Sequence, residues 1–146
     1  MKAKFIWDAF TVAVSAIGGA IGWWVGGFDG LIYALIAFTI CDYISGVLRA
    51  IVEKKLSSRI GAKGIVKKVV IFLIVGVANI TDLYLIGGGS ALRTAVICFY
   101  SANEGLSLLE NTVAIGLPVP EKLKKALIQL RNKSENEQSE EDGKEE

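Results

Sequence analysis

The run AFTVAVSAIGGAIGWWVGGF, residues 9–28, contains no charged residue. About 20 residues rising about 1.5 Å each cross the roughly 30 Å hydrocarbon core of a bilayer, so this run predicts a membrane-spanning helix. A secretory signal peptide is the rival reading, because Lys2 and Lys4 precede the apolar stretch and small residues cluster at SAIGGA. Against it, Asp8 interrupts the basic region and the apolar run continues through Trp23 and Trp24 past any cleavage point. Composition agrees with a membrane solvent: 52% of the residues are hydrophobic, more than a small soluble core needs.

Working outward, three more apolar segments follow, at about 31–52, 65–86 and 90–116, each long enough to span. Only GGFDG separates the first pair and GGGS the second, so both pairs read as tight helical hairpins, with Asp29 and Ser90 placed to cap the returning helices. The middle connection, EKKLSSRIGAKGIVKK, carries Lys54, Lys55, Arg59, Lys63, Lys67 and Lys68 against Glu53, which the positive-inside rule assigns to the cytoplasm. Both termini then fall on that side, with Lys2 and Lys4 at one end and Lys122, Lys124, Lys125, Arg131 and Lys133 at the other. Beyond the fourth segment, Pro120 suits a first helical turn and Leu123, Leu127 and Leu130 share a face. The stretch 118–133 is therefore expected as an amphipathic helix, lying along the inner membrane surface or packed on the cytoplasmic loop.

Net charge of +1 conceals a segregation, since residues 134–146 hold seven acids and one lysine while the rest holds 15 basic and 8 acidic residues. SENEQSEEDGKEE has no apolar residue to offset chain entropy and is expected as a disordered acidic tail. The expected architecture is all-α: a transmembrane domain at 1–117 of about four helices in two hairpins, the amphipathic helix, and the tail. It is expected to be multi-pass, with both termini cytoplasmic.

The absence of histidine removes imidazole bases, histidine metal sites and Ser-His or Cys-His nucleophile pairs. Cys41 and Cys98 lie in apolar runs without ligand spacing and read as packing residues. No enzyme, cofactor or metal is indicated, and the basic connection reads as a topology signal rather than a nucleic-acid site. Gly18, Gly22 and Gly26 repeat every fourth residue, a groove for self-association or for packing on the second helix. Gly46 marks a comparable small position on the second helix.

Ionisable residues within the segments carry more information, because a charge in hydrocarbon is costly and faces protein or water. Counted from the glycine turns at about 1.5 Å per residue, Asp82 and Arg93 sit level and are expected to pair. Arg49 and Glu110 lie level near the opposite end, where they pair or snorkel outward. Asp42 and Glu104 are level at roughly 18 and 21 Å, with no basic residue at that depth by the same count. Tyr100, Glu104, Ser107 and Asn111 form a polar stripe on the fourth segment, joined by Asn79 on the third. A channel or lesion would line water with this layer, a small ion- or proton-coupled transporter would titrate it, and a closed bundle would satisfy it internally.

The succession DYISGVLRAI, SSRIGAKGIVKK, FYSANEGLSLLEN and GLPVPEKLKKAL, over about residues 38–130, resembles the toxin-secretion and phage-lysis holin family of Gram-positive phages and clostridia. The resemblance rests on Asp42, Gly46, Ser58, Gly61, Gly64, Lys67, Lys68, Asp82, Tyr100, Glu104, Ser107, Asn111, Gly116, Pro118 and Pro120, and leaves the first helix outside. It implies a membrane protein that forms homo-oligomers among the lipids and opens timed lesions. Its functional partner would be a murein hydrolase (endolysin) or a secreted toxin, and an antiholin role within the same family is the variant reading.

Overall fold

A computed structural model of the chain describes residues 2–142, with side chains described from residue 4 to 134. Within them lie α1 (Lys2–Trp24), α2 (Gly30–Val52), α3 (Ser58–Tyr84), α4 (Ala91–Ala114) and α5 (Glu121–Asp142), and no strand. By length and apolarity α1, α2 and α3 qualify as membrane spans. Arg93, Glu104 and Glu110 set α4 apart from them, so the four-span expectation does not follow from the helices alone.

Helix ends follow local chemistry. Asp29 accepts from the Ile32 amide at 2.9 Å to cap α2, and Ser57 accepts from the Ile60 amide at 3.3 Å to cap α3. The second cap starts α3 well before the expected residue 65, so Arg59 and Lys63 stand on its first turns instead of in a loop, and Lys67 and Lys68 on the turn after them. Ser90 makes no side-chain cap, contrary to expectation; Asp82 takes that role, its carboxylate accepting from the amides of Leu92 at 3.2 Å and Arg93 at 2.8 Å. α4 closes on Gly116, whose φ of +95° lets Leu117 N donate to Thr112 O at 3.1 Å, the return bond of a glycine C-cap. Past Pro118 and Pro120, α5 begins.

α4 is the hub, packing on α2, α3 and α5. The apolar core joins Ile32 and Leu35 of α2, Ile71, Val75 and Ala78 of α3, and Val96 and Ile97 of α4, with Val25 closing its end. α1 stands apart. Nearly all of its spanning stretch is exposed up to Gly22, which Phe28 of the following connection covers, and it touches α3 only through its last turn, so the expected α1–α2 hairpin does not form among the described residues. Trp24 makes that contact: its indole lies where a Cβ on Gly76 would be, and its Nε1 donates to Phe72 O at 3.3 Å. Phe5, Trp7, Phe10, Ile17 and Ile21 are exposed, as are Ile40, Ile44 and Leu48 on α2 and Val66, Leu73 and Val77 on α3. A surface so apolar needs a hydrocarbon solvent or other chains.

Two expectations about the C-terminal segment change. The amphipathic helix lies along α4, with Leu127 buried against it and Leu123 exposed. The acidic stretch from residue 134 continues α5 to Asp142, because glutamates and glutamines readily extend an existing helix; residues 143–146 lie outside the described ones.

Candidate functional site

Two polar layers are separated by the apolar core. The first gathers around Arg93, which is 4% exposed. Its Nε donates to Val25 O at 2.6 Å, Nη2 to Gly27 O at 3.2 Å and Nη1 to Asp29 Oδ2 at 2.7 Å. Asn79 Nδ2 donates to the carbonyls of Trp23 and Trp24 at 3.3 and 3.2 Å. These acceptors belong to the end of α1 and its turn, where a helix leaves its last carbonyls unpaired and carries partial negative charge. A guanidinium and an amide from α3 and α4 thus satisfy the terminus of α1. Gly26 takes φ +80°, and a Cβ there would strike both Asn79 and Arg93.

This geometry corrects three expectations. Arg93 pairs through its side chain with Asp29, while Asp82 binds backbone amides. Asn79 belongs to this clamp and not to the stripe with Glu104. Gly26 lies in the clamped turn, Gly22 is covered by the Phe28 ring, and only Gly18 and Gly19 of the glycine run are open, so the run is not one continuous groove. The hydrogen bond from Arg93 holds the Asp29 carboxyl below the usual carboxylate range.

The second layer is built on Lys68. Its ammonium sits between Asp42 of α2 and Glu104 of α4 and forms an ion pair with each. The three side chains are 18%, 12% and 12% exposed, so both pairs are shielded from water by protein. Asn111 Nδ2 donates to Asp42 Oδ1 at 3.2 Å and to Ser45 Oγ at 3.0 Å, and Ser45 Oγ donates to Asp42 O at 2.9 Å. A Cβ on Gly46 would lie 3.6 Å from Asn111 Nδ2, an ordinary contact, so the approach of α4 here does not require the glycine. With both acids ionised the triad carries one net negative charge, and it ties α2, α3 and α4 together. A cavity of about 210 Å³ beside it, bounded by Asp42, Lys67, Lys68, Ser107 and Asn111 and by the Tyr43 ring on Gly64, holds room for several waters.

Asp42 and Glu104 therefore meet, but not without a countercharge. Assigning Lys68 to a cytoplasmic basic loop hid it. The signal was present in the helical period: Lys68, Ile71, Val75, Asn79 and Asp82 recur at three- and four-residue steps, and the last four are buried. Tyr100 is half-buried, edge-on to Phe99 with ring centroids 5.2 Å apart, and has no part in the triad. Arg49 and Glu110 do not pair. Arg49 Nε binds Glu53 Oε1 at 2.7 Å, a partner one turn along its own helix, and Glu110 is exposed. Arg49 and then Lys55 hold Glu53 below the usual carboxylate range.

The sequence profile of the bacteriophage holin family matches residues 19–132. The chain belongs to the bacteriophage holin family. The match takes in the last six residues of α1 (19–24), beyond the resemblance drawn from motifs alone. A probable holin of Bacillus phage phi105 is 42% identical over 86 residues, covering 59% of this chain and 63% of that protein. An uncharacterized 14.9 kDa protein in the nagH 3' region of Clostridium perfringens is 42% identical over 120 residues, covering 82% of this chain and 91% of that one. An uncharacterized protein of Listeria innocua is 40% identical over 131 residues, 90% and 93% of the two chains. No solved structure matches the chain. Family and apolar helices together make this a membrane protein of a pore-forming family, which is not an enzyme class.

Proposed function

We propose that this holin accumulates in the bacterial cytoplasmic membrane, assembles with copies of itself and opens timed lesions through which a murein hydrolase or toxin reaches the cell wall. The observation that carries this reading is the Lys68 triad, charged chemistry held closed at the centre of a subunit whose outer surface is apolar. In the proposed topology α4 is a fourth span, the α2–α3 connection faces the cytoplasm, and the Arg93 clamp lies toward the outside.

One subunit does not line a hole, because its ions are paired with one another between α2, α3 and α4. When subunits gather, water entering beside the 210 Å³ cavity solvates Asp42, Lys68 and Glu104 separately, so each ion no longer requires the other two. The helices then part along that layer, and Ser107, Asn111 and the acids become the wetted wall. Gly18 and Gly19, open on the outer face of α1, are proposed contacts between copies.

Induced expression in a bacterium tests this reading. The account expects an abrupt stop in growth, collapse of membrane potential, and lysis when a cytosolic murein hydrolase is co-expressed. Steady growth with the protein demonstrably in the membrane overturns it.

A further inference from the structure

α4 presents two unlike faces. Toward α2 and α3 it carries Glu104 and Asn111, while Leu106, Leu109 and Val113, with Glu110 and with Arg49 of α2, line a cleft against Val119, Glu121 and Lys124 where the chain turns into α5. Farther along, α5 seats Leu127, 7% exposed, on Gly105: a Cβ at that glycine would lie 3.0 Å from Leu127 Cδ1 and 3.4 Å from Phe38 Cε1. Gly105 stands nine residues before the end of α4, so α5 doubles back along roughly 14 Å of its neighbour. Apolar side chains of α5 occupy there the place that lipid chains take beside a spanning helix.

That arrangement is incompatible with hydrocarbon around it. Lys122, Lys124 and Lys125 are exposed on the stretch of α5 leading to Leu127, and ammonium groups at membrane depth are strongly disfavoured. α5 seated on Gly105 and α4 spanning over its full length therefore exclude each other. The contact is also imperfect, because Arg131 Nε is buried without a hydrogen-bond partner, an unsatisfied donor that opposes the closed form.

We infer that α5 is a detachable cover for α4. Closed, with Leu127 on Gly105, it keeps the inner half of α4 out of hydrocarbon; open, it withdraws to the aqueous face and lipid chains replace it on Gly105, Leu106, Leu109 and Val113. Lipid is the occupant because Leu106, Leu109 and Val113 continue the bare apolar surface of α2 and α3, which requires the same solvent, while Glu110, four residues from the end of α4, and Arg49 beside it stand at headgroup level. The inference rests on the proposed fourth span but not on lesion formation.

A cysteine lock tests it. In a Cys41→Ser/Cys98→Ser chain, Gly105→Cys with Leu127→Cys is oxidised in phosphatidylethanolamine/phosphatidylglycerol vesicles, and a fluorescent amino acid at position 109 reports its surroundings. The locked protein should be quenched by aqueous iodide. Reduction should shift the quenching to doxyl-labelled lipid, and Leu127→Ala should show the lipid-quenched state with no reductant. Failure of the intrachain disulfide to form, or equal lipid quenching in locked and reduced protein, overturns the cover. Interchain crosslinks through Gly105→Cys alone would give the face to a second copy and overturn lipid as the occupant. Depth changes without lysis leave the cover standing and count against the lesion, whereas lysis without depth changes does the reverse.

Discussion

Removing the ammonium of Lys68 should damage the fold more than removing all three charges of its triad. Lys68→Met leaves Asp42 and Glu104 facing each other, each side chain 12% exposed, with only the Asn111 and Ser45 hydrogen bonds near Asp42 to compensate. Breaking a buried pair by deleting one partner costs about 3–5 kcal/mol, and here two acids lose the same partner. Replacing the whole triad by neutral groups of similar volume strands no buried charge and so avoids most of that loss, the new Asn and Gln amides costing only what hydrogen bonds they fail to make. The comparison is Lys68→Met against Lys68→Met/Asp42→Asn/Glu104→Gln, both purified in mild detergent and unfolded by SDS titration followed by circular dichroism. The single variant should lose about 3 kcal/mol or more, and the triple should recover most of it. A Lys68→Met protein within about 0.5 kcal/mol of the parent would refute the buried triad, since that is the range of surface substitutions.

Other parts of the account give separate expectations. Arg93→Met removes the donors to Val25 O, Gly27 O and Asp29, so limited proteolysis should cut the 25–29 connection faster, with a loss of roughly 2–4 kcal/mol on SDS titration. Asp29 is held below its ordinary range, so the stability it contributes is full above the unfolded-state value and disappears as pH falls through the lowered one. Protease protection of the turn should therefore decline on acidification in the parent and lose that component in Asp29→Asn. Gly76→Leu should displace the Trp24 indole, shifting its fluorescence and freeing the last turn of α1. For topology, with Cys41 and Cys98 replaced, a cysteine at Gly88 should react with an impermeant maleimide from outside and one at Ser57 should not; the reverse pattern would reject the proposed orientation.

Periodicity and charge made the helices legible, and depth counting brought Asp42 level with Glu104 because residue rise is nearly constant in a helix. The same count failed for the partners. Lys68 falls inside the expected third segment, yet its charge groups it with the basic connection, which hides its place on the face that Ile71, Val75, Asn79 and Asp82 continue. Arg93 was matched to the acid at its own depth, although a guanidinium on a long stem can reach the carbonyls of a third helix. The detachment of α1 from α2 was also hidden, since a short glycine-rich connection fixes where two helices join but not whether they pack. Leu127 on Gly105 depends on two segments meeting after the turn at Gly116, and neither residue announces the other in sequence.

The central claim is that this chain alone opens a membrane to macromolecules. Purified protein should be reconstituted in vesicles of bacterial lipids that enclose both a small dye and a fluorescent protein the size of a murein hydrolase, at increasing protein-to-lipid ratio. The account predicts that above a threshold ratio individual vesicles lose both cargoes together, in an all-or-none manner. Retention of both cargoes at every ratio, with insertion verified by flotation, would contradict it.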